Sequence, residues 1–400
     1  MNMATRVLEF FPHELHPRKG GPYSYLYNLK DEIVKNQQRN IIFLSDIFEF
    51  QTQQPSKKDI LAPLKKFVRL FFSQKQIINR RIKTYVTQIR QIDERIKQMN
   101  FDEFDVIHFH EAVDLWRYKE IFQNYSGKII FTPHSPVPYH VEMIQEVFKL
   151  KGHSIIYPAL YRELEEIDKA AFELADLLVL PCREAIEGYY AWPPIQSYLQ
   201  TLPLHLIPTG CRAPVIKSHC EEVFNKFSLP RKLVKICFIG RHSFIKGYDL
   251  LEDAAKEILN KDTNTCFVIA GSPTGIETFQ HSKWIQTGWV DDPFSLMNAC
   301  DVVVVPNRET YFDLNILEAM ALGKPIILTE TGGSKFLKTF QSPGLFFSKS
   351  TVEGLLAAIK SCLSCTDELE LCGGPNKKIF EENFTTQIFY KRYTEFYQSI

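Results

Sequence analysis

From its N-terminus the chain alternates short, unbroken apolar runs with longer segments whose apolar residues recur three and four apart. The runs at 6–12 (RVLEFFP), 40–46 (NIIFLSD), 105–110 (DVIHFH), 128–134 (KIIFTPH), 177–181 and 204–208 predict strands. Helical spacing predicts helices at 23–35, 114–123 and 161–175. Apolar runs without alternation fit strands buried on both faces, and strands that take turns with helices predict a parallel sheet covered on both sides. The pattern lapses at 212–231, which reads as a linker. A second series follows, with strands at 234–240 (VKICFIG), 266–271 (CFVIAG), 285–289, 301–306 and 326–329, and helices at 248–259, 293–299, 314–322, 351–362 and 384–400. The expected fold class is α/β, with two Rossmann-like doubly wound domains at 1–212 and 213–383 and a terminal helix at 384–400.

The stretch 301–334 (DVVVVPNRETYFDLNILEAMALGKPIILTETGGS) shows the unit most fully. A buried strand passes through a polar loop, 307–313, into a helix that Gly323, Lys324 and Pro325 stop. A second strand follows and ends in a glycine turn at 331–334. The helix N-terminus opens at the carboxyl end of a strand, where open α/β sheets place anionic ligands. Glu318 lies one turn below that N-terminus. Two such domains in tandem predict a ligand cleft between the carboxyl ends of their sheets.

Composition changes little of this. Four hundred residues exceed one hydrophobic core, while 45% apolar and 24% charged residues are ordinary globular values. No apolar run reaches the roughly eighteen residues of a membrane helix, and the N-terminus lacks a signal-peptide layout. Nine cysteines include one CxxC, at 362–365, with no second Cys/His pair at zinc spacing. Free thiols in a cytoplasmic chain are therefore expected.

Charge does add something. The formal net charge is zero, yet 57–97 holds twelve Lys/Arg against three Asp/Glu. In a helix expected over 57–99, Leu61, Leu64, Phe67, Val68, Phe71 and Phe72 share one side, with Lys65, Lys66 and Arg69 off it. Basic charge continues through Lys75, Arg80, Arg81 and Lys83. Such a segment suits an anionic membrane surface. The plainer alternative is a solvated basic helix packed on its own domain. Nucleic acid is not expected as a partner, because no RNA- or DNA-binding motif accompanies the charge.

Candidate chemistry sits at the strand ends. Gly240-Arg241-His242-Ser243-Phe244-Ile245-Lys246-Gly247 offers two cations that could clamp a diphosphate. Gly20-Gly21 precedes a helix and allows close approach of backbone amides to a phosphate, although a plain tight turn needs the same residues. Asp291-Asp292 precedes a helix and reads as its cap rather than as part of a metal triad.

GRHSFIKG together with GWVDDPFSLMNACDVVVVPNRETYFDLNILEAMALGKPIILTETGG resembles the donor-binding domain of the retaining glycosyltransferases of family four. Gly20-Gly21 and the strands DVIHFH and KIIFTPH extend the resemblance into the first domain. It implies a GT-B fold, with 384–400 crossing back to the first domain. By the same resemblance Arg241 and Lys246 bind the donor diphosphate and Glu318 holds the ribose hydroxyls. Gly20 and Gly21 lie beside the diphosphate and sugar, and His134 is the active-site histidine next to the sugar. One position departs from the pattern: where the first Glu of the family's E-x7-E belongs stands Thr310, with Glu309 one place early. The family's Pro-Phe-Gly is Tyr311-Phe312-Asp313 here. Glu309 or Thr310 is expected to bond the sugar, and Asp313 to cap the following helix.

The implied reaction moves a hexose from a nucleotide sugar, UDP- in preference to GDP-linked, to a hydroxyl with the anomeric configuration retained. The implied route is front-face displacement, in which a leaving phosphate oxygen takes the acceptor's proton. Arg241, Lys246 and the helix N-terminus at Phe312, Asp313 and Leu314 would stabilise the leaving group. No metal or other cofactor is expected. The expected acceptor is a glycan or lipid-linked glycan in cell-surface polysaccharide or glycoconjugate synthesis, met at the cytoplasmic membrane face. The sugar-nucleotide 2-epimerases share the fold and remain an alternative. A non-catalytic relative that binds a nucleotide or partner enzyme is the other.

Overall fold

The computed structural model describes residues 4–17, 19–50, 73–150, 152–261, 264–272, 279–365 and 368–400. The chain divides into two compact units: residues 1–180, 186–207 and 392–400 form the first, and residues 181–185 and 208–391 the second.

The first unit is built on a six-stranded parallel sheet in the order β2-β1-β3-β4-β5-β6. Its strands are β1 (Val7–Phe10), β2 (Ile41–Phe43), β3 (Val106–Phe109), β4 (Lys128–Phe131), β5 (Leu177–Leu180) and β6 (Leu204–Leu206). Because β2 and β3 flank β1 on opposite sides, the crevice of this sheet opens at the carboxyl ends of β1 and β3. The strand expected over 40–46 stops at Phe43, where the chain turns into a short helix, Leu44–Ile47. Asp46 closes that turn by accepting from the Phe43 amide at 3.4 Å.

Of the basic segment, the stripe from Leu61 to Phe72 lies outside the described residues. Helix Gln74–Ile89 is described, capped by Ser73, whose side chain accepts from the Gln76 amide. It buries Ile78, Asn79, Ile82 and Val86 and exposes Lys75, Arg80, Arg81 and Lys83. In this half the apolar side packs on the unit and the charges face outward. A short non-helical stretch separates this helix from the short helix Glu94–Lys97. No helix among the described residues is long and apolar enough to cross a membrane.

The second unit repeats the plan with the order β12-β11-β10-β7-β8-β9, again all parallel. Its strands are β7 (Val234–Ile239), β8 (Thr265–Ala270), β9 (Trp284–Gly288), β10 (Val302–Val305), β11 (Ile326–Thr329) and β12 (Leu345–Ser348). The two-residue period of a strand sends Val302 and Val304 to one face and Val303 and Val305 to the other. The first face packs against helices Tyr248–Leu259 and Val352–Leu363, the second against helix Leu314–Ala321. The crevice of this sheet lies between β7 and β10, whose loops carry Arg241, Lys246 and residues 307–313.

Four features of this unit differ from expectation. The linker at 212–231 contains helix Cys220–Phe227, which buries Val223 and packs Phe224 and Phe227 against β7 and β8 residues and helix Pro293–Ala299. The glycine turn at 331–334 opens a 3-10 helix, Gly332–Phe340. Helix Leu369–Asn383 and strand β12 were not expected. That helix contains Gly373, Gly374 and Pro375, residues that argue against a helix on propensity alone. Tertiary contacts override propensity here. Asn376 Nδ2 donates to the Lys324 and Gly344 carbonyls at 2.8 and 3.0 Å, and a Cβ on Gly373 would stand 1.9 Å from the Gly323 oxygen.

Candidate functional site

In the second unit two loops meet at the β7/β10 crevice, and specific bonds tie them together. The Arg308 amide donates to the Ile245 carbonyl at 2.8 Å, and Arg308 Nη1 donates to the Phe244 carbonyl at 2.8 Å. The Arg308 guanidinium also grips Asp249 in a bidentate pair and lies 3.8 Å over the Phe244 ring. The 241–247 loop is thereby held by the chain leaving β10.

Lys246 points into this junction and pairs with Asp313. The Lys246 side chain is 25% exposed and that of Asp313 11%. Asp313 Oδ2 also accepts from Asn307 Nδ2 at 2.7 Å, while Oδ1 accepts from the Asn315 amide at 3.2 Å and so caps helix Leu314–Ala321. Burial pushes the Asp313 carboxyl up, but the Lys246 ammonium, with Asn307 and the Asn315 amide, outweighs it and holds it below its ordinary value. The Asp313 charge, expected beside a diphosphate, is thus already matched by a lysine.

Thr310 is only 3% exposed, and its Oγ1 accepts from Asn307 Nδ2 at 3.1 Å. Its carbonyl accepts from the Gly333 amide at 2.9 Å. A Cβ on Gly332 would lie 1.9 Å from the Thr310 oxygen, and one on Gly333 the same distance from the Tyr311 oxygen. The loop therefore rests directly on the backbone of the two glycines, which no residue with a side chain permits. Glu309 is half-buried in the same loop. The side chains of Phe312 and Leu314 pack against the unit's core cluster, so only their backbone amides could meet an anion.

Glu318 is half-buried beneath the helix N-terminus. Burial, reinforced by the Asp313 charge, raises its carboxyl to about 8. Arg241 is exposed on the preceding loop. At the foot of helix Pro293–Ala299, Asp292 Oδ1 accepts from the Ser295 amide at 3.3 Å, as a cap does.

In the first unit Gly20 and Gly21 open helix Gly21–Lys35 with φ of 73° and 50°, and no atom stands within 4 Å of a Cβ on either. The Gly20 amide donates to Ser24 Oγ at 3.0 Å. His134 follows β4 and is half-buried, its Nε2 2.9 Å from Nδ1 of His110. His110 Nε2 in turn lies 2.7 Å from Glu9 Oε2. Burial, with His110 adding to it, takes the His134 ring well below the ordinary imidazole value.

The structure thus brings Lys246, Thr310, Asp313 and, on their backbone side, Phe312 and Leu314 together around one helix N-terminus. Reading the sequence missed Asn307, Arg308, His110 and Glu9. Asn307 carried a usable signal: a polar residue directly after an apolar strand, 1% exposed in the fold, must be bonded to something.

The chain has recognisable relatives. Residues 234–365 match the family described as "Glycosyl transferases group 1". An uncharacterised glycosyltransferase of Methanocaldococcus jannaschii is 30% identical over 155 residues, which cover 37% of this chain and 43% of that protein. The chain therefore spans less than half the length of that relative. Among solved structures, sucrose-phosphate synthase of Thermosynechococcus elongatus superposes with a TM-score of 0.66 at 16% identity, covering 99% of both chains. Anabaena HepE in complex with UDP-glucose gives 0.63 at 15% identity, over 99% of this chain and 100% of that one. Residues 234–365 thus match a glycosyltransferase group 1 domain, in a chain with the two-domain α/β fold seen in GT-B glycosyltransferases.

Proposed function

We propose that this protein transfers a hexose from a nucleotide sugar to a hydroxyl acceptor with retention of anomeric configuration, as the family-four resemblance implies. The observation that carries the reading is the β7/β10 crevice of the second unit. There Lys246, the N-terminus of helix Leu314–Ala321 and Glu318 line up a cation, a row of backbone amides and an acid within a glycosyltransferase group 1 domain. Lys246 and Arg241 are assigned to the diphosphate and Glu318 to the ribose hydroxyls. Glu309, Thr310 and Asp313 are assigned to the sugar, with Gly20, Gly21 and His134 at the sugar end of the donor.

In this scheme the amides of residues 312–314 and the two cations take up the charge that grows on the diphosphate as the glycosidic bond breaks. The leaving phosphate oxygen accepts the acceptor's proton. Lys246 exchanges its Asp313 partner for phosphate, while Asn307 and the Asn315 amide keep the aspartate bonded. UDP is the preferred nucleotide, supported by the UDP-glucose bound to the HepE relative of the fold. No divalent metal is required, so chelation should leave the rate unchanged.

The deciding experiment follows donor hydrolysis or transfer by NMR and reads the anomer first released. Retention supports the reading and inversion overturns it. A nucleotide-linked 2-epimer formed without acceptor would instead assign the chain to the epimerases. The acceptor is proposed to be a lipid-linked glycan at the cytoplasmic membrane face, since Lys75, Arg80, Arg81 and Lys83 all face outward. Vesicle sedimentation that ignores anionic lipid and salt would overturn this part.

A further inference from the structure

Behind His134 runs a chain of buried polar groups that the proposed transfer does not use. Glu9 on β1 and His108 on β3 are in register and therefore share one face of the sheet, which His110 joins two residues on. Tyr393 and Tyr397, four apart in helix Thr386–Ser399, descend on this face. Glu9, His108, His110, Thr132 and Tyr397 are all buried.

The contacts form a single line. His134 Nε2 is 2.9 Å from His110 Nδ1, and His110 Nε2 is 2.7 Å from Glu9 Oε2. Glu9 Oε1 is 2.7 Å from Tyr397 Oη, which is 2.6 Å from His108 Nδ1. His108 Nε2 is 2.8 Å from Thr132 Oγ1, and Thr132 Oγ1 is 3.0 Å from the Val179 carbonyl.

With His108 neutral, the far end sets the direction of every proton. The Val179 carbonyl can only accept, so it takes the single Thr132 proton. His108 Nε2 must then donate to Thr132, and a neutral His108 accepts at Nδ1 from the Tyr397 hydroxyl. With its proton spent on a neutral His108, Tyr397 accepts from Glu9, so Oε1 of Glu9 carries a hydrogen; with Glu9 ionised, Tyr397 would instead donate to Oε1 and His108 would have to donate at both nitrogens. Oε2 accepts from His110 Nε2, and His110 Nδ1 accepts from His134 Nε2. Every donor and acceptor in the line is matched with no charge buried, the arrangement a low-dielectric interior favours.

We propose that this line keeps Glu9 a neutral carboxylic acid and fixes His134 as the tautomer protonated on Nε2, with Glu9, His110 and Tyr397 acting as positioning residues for His134. The His134 lone pair then sits on Nδ1, so that nitrogen accepts from a hydroxyl rather than donating to it. The groups around the line agree. Burial raises Glu9 to about 8, and burial takes His110 down to about 3 against the nearby Glu111 charge. Burial, with His110 and His134 beside it, also takes His108 well down. Tyr25, hydrogen-bonded to Tyr393, packs edge-on to His134 at 4.6 Å between ring centroids, which holds the ring plane.

That His134 faces a sugar rests on the proposed function, but the tautomer is read in the ligand-free protein. A chain that transfers nothing leaves this inference standing, and a wrong tautomer overturns it whatever the chain transfers. The experiment is a long-range proton–nitrogen NMR spectrum of histidine-labelled protein between pH 6 and 7.5, assigned with single His→Asn variants. The expected result is that His108, His110 and His134 are all neutral and protonated on Nε2. Glu9→Gln, whose amide also offers one acceptor and one donor, should keep that pattern, and Glu9→Leu should lose it at His110 and His134. An imidazolium at His108 or His110, or an Nδ1-protonated His134, would overturn the proposal. So would a pattern that changes on chelation, because Glu9, His108 and His110 hold ligand-type atoms within 4.8 Å of one another.

Discussion

Binding a nucleotide through Glu318 should release a proton and therefore depend on pH. In the ligand-free protein burial and the Asp313 charge hold this carboxyl at about 8. Ribose hydroxyls donate to a carboxylate, so the ionised form is the one that binds. With a pKa of about 8 in the free protein, about 0.9 proton is lost on binding at pH 7 and about 0.1 at pH 9. The affinity for UDP should therefore rise about tenfold from pH 7 to pH 9, about 1.4 kcal/mol. Titration calorimetry in two buffers of different ionisation enthalpy reads the proton directly. Glu318→Gln keeps an acceptor oxygen but has no proton to lose, so its binding should be weaker and flat over this range. An affinity independent of pH in the wild type, or the same slope in Glu318→Gln, would refute the assignment. The same shift acts on the free protein with the sign of a raised acid. Between the unfolded value of 4.5 and the folded value of about 8 the native state holds the extra proton. Stability therefore falls as pH rises through that window, and Glu318→Gln should flatten its share of the slope.

The remaining predictions concern the packing around the two crevices. Lys246→Ala should lower kcat/KM at least about tenfold, about 1.4 kcal/mol, and lift the Asp313 carboxyl from its depressed value; a loss under about threefold would contradict the diphosphate role. Gly333→Ala places a methyl where the Tyr311 carbonyl stands, so it should cost about 1–3 kcal/mol in denaturant unfolding and weaken donor sugar binding more than binding of the free nucleotide. Equal weakening of both would mean that the 309–313 loop does not read the sugar. Tyr397→Phe strands Glu9 Oε1 and His108 Nδ1, at about 1–3 kcal/mol for each buried group. A stability change under about 0.5 kcal/mol would show the polar line to be less closed than its distances indicate.

Much of the scaffold was legible because unbroken apolar runs and helical spacing dictate it. Helices Tyr248–Leu259 and Pro293–Ala299 and strand Ile326–Thr329 fall where periodicity puts them. Helix Leu369–Asn383 was hidden because Gly-Gly-Pro argues locally against it, and only the remote Gly344 and Lys324 carbonyls explain its Asn376. Helix Cys220–Phe227 was hidden by its shortness and by flanking charge. At the candidate site the strand-end glycines, Lys246 and Glu318 carry a local signature. The partners that set their charge do not: Asp313 meets Lys246 across 67 residues, and Glu9 meets Tyr397 across 388. Separations of that size leave no periodic trace in a single sequence.

In the proposed function the group 1 domain binds a nucleotide sugar through Lys246 and Glu318. The most direct measurement is a thermal-shift titration of UDP- and GDP-sugars against the wild type, Lys246→Ala and Glu318→Gln. A ligand at a hundredfold over its Kd stabilises the folded protein by about 2.7 kcal/mol, a readily seen rise in Tm. At least one nucleotide sugar should raise the wild-type Tm, and both variants should lose most of the rise. No shift with any nucleotide sugar, or an undiminished shift in both variants, would contradict it.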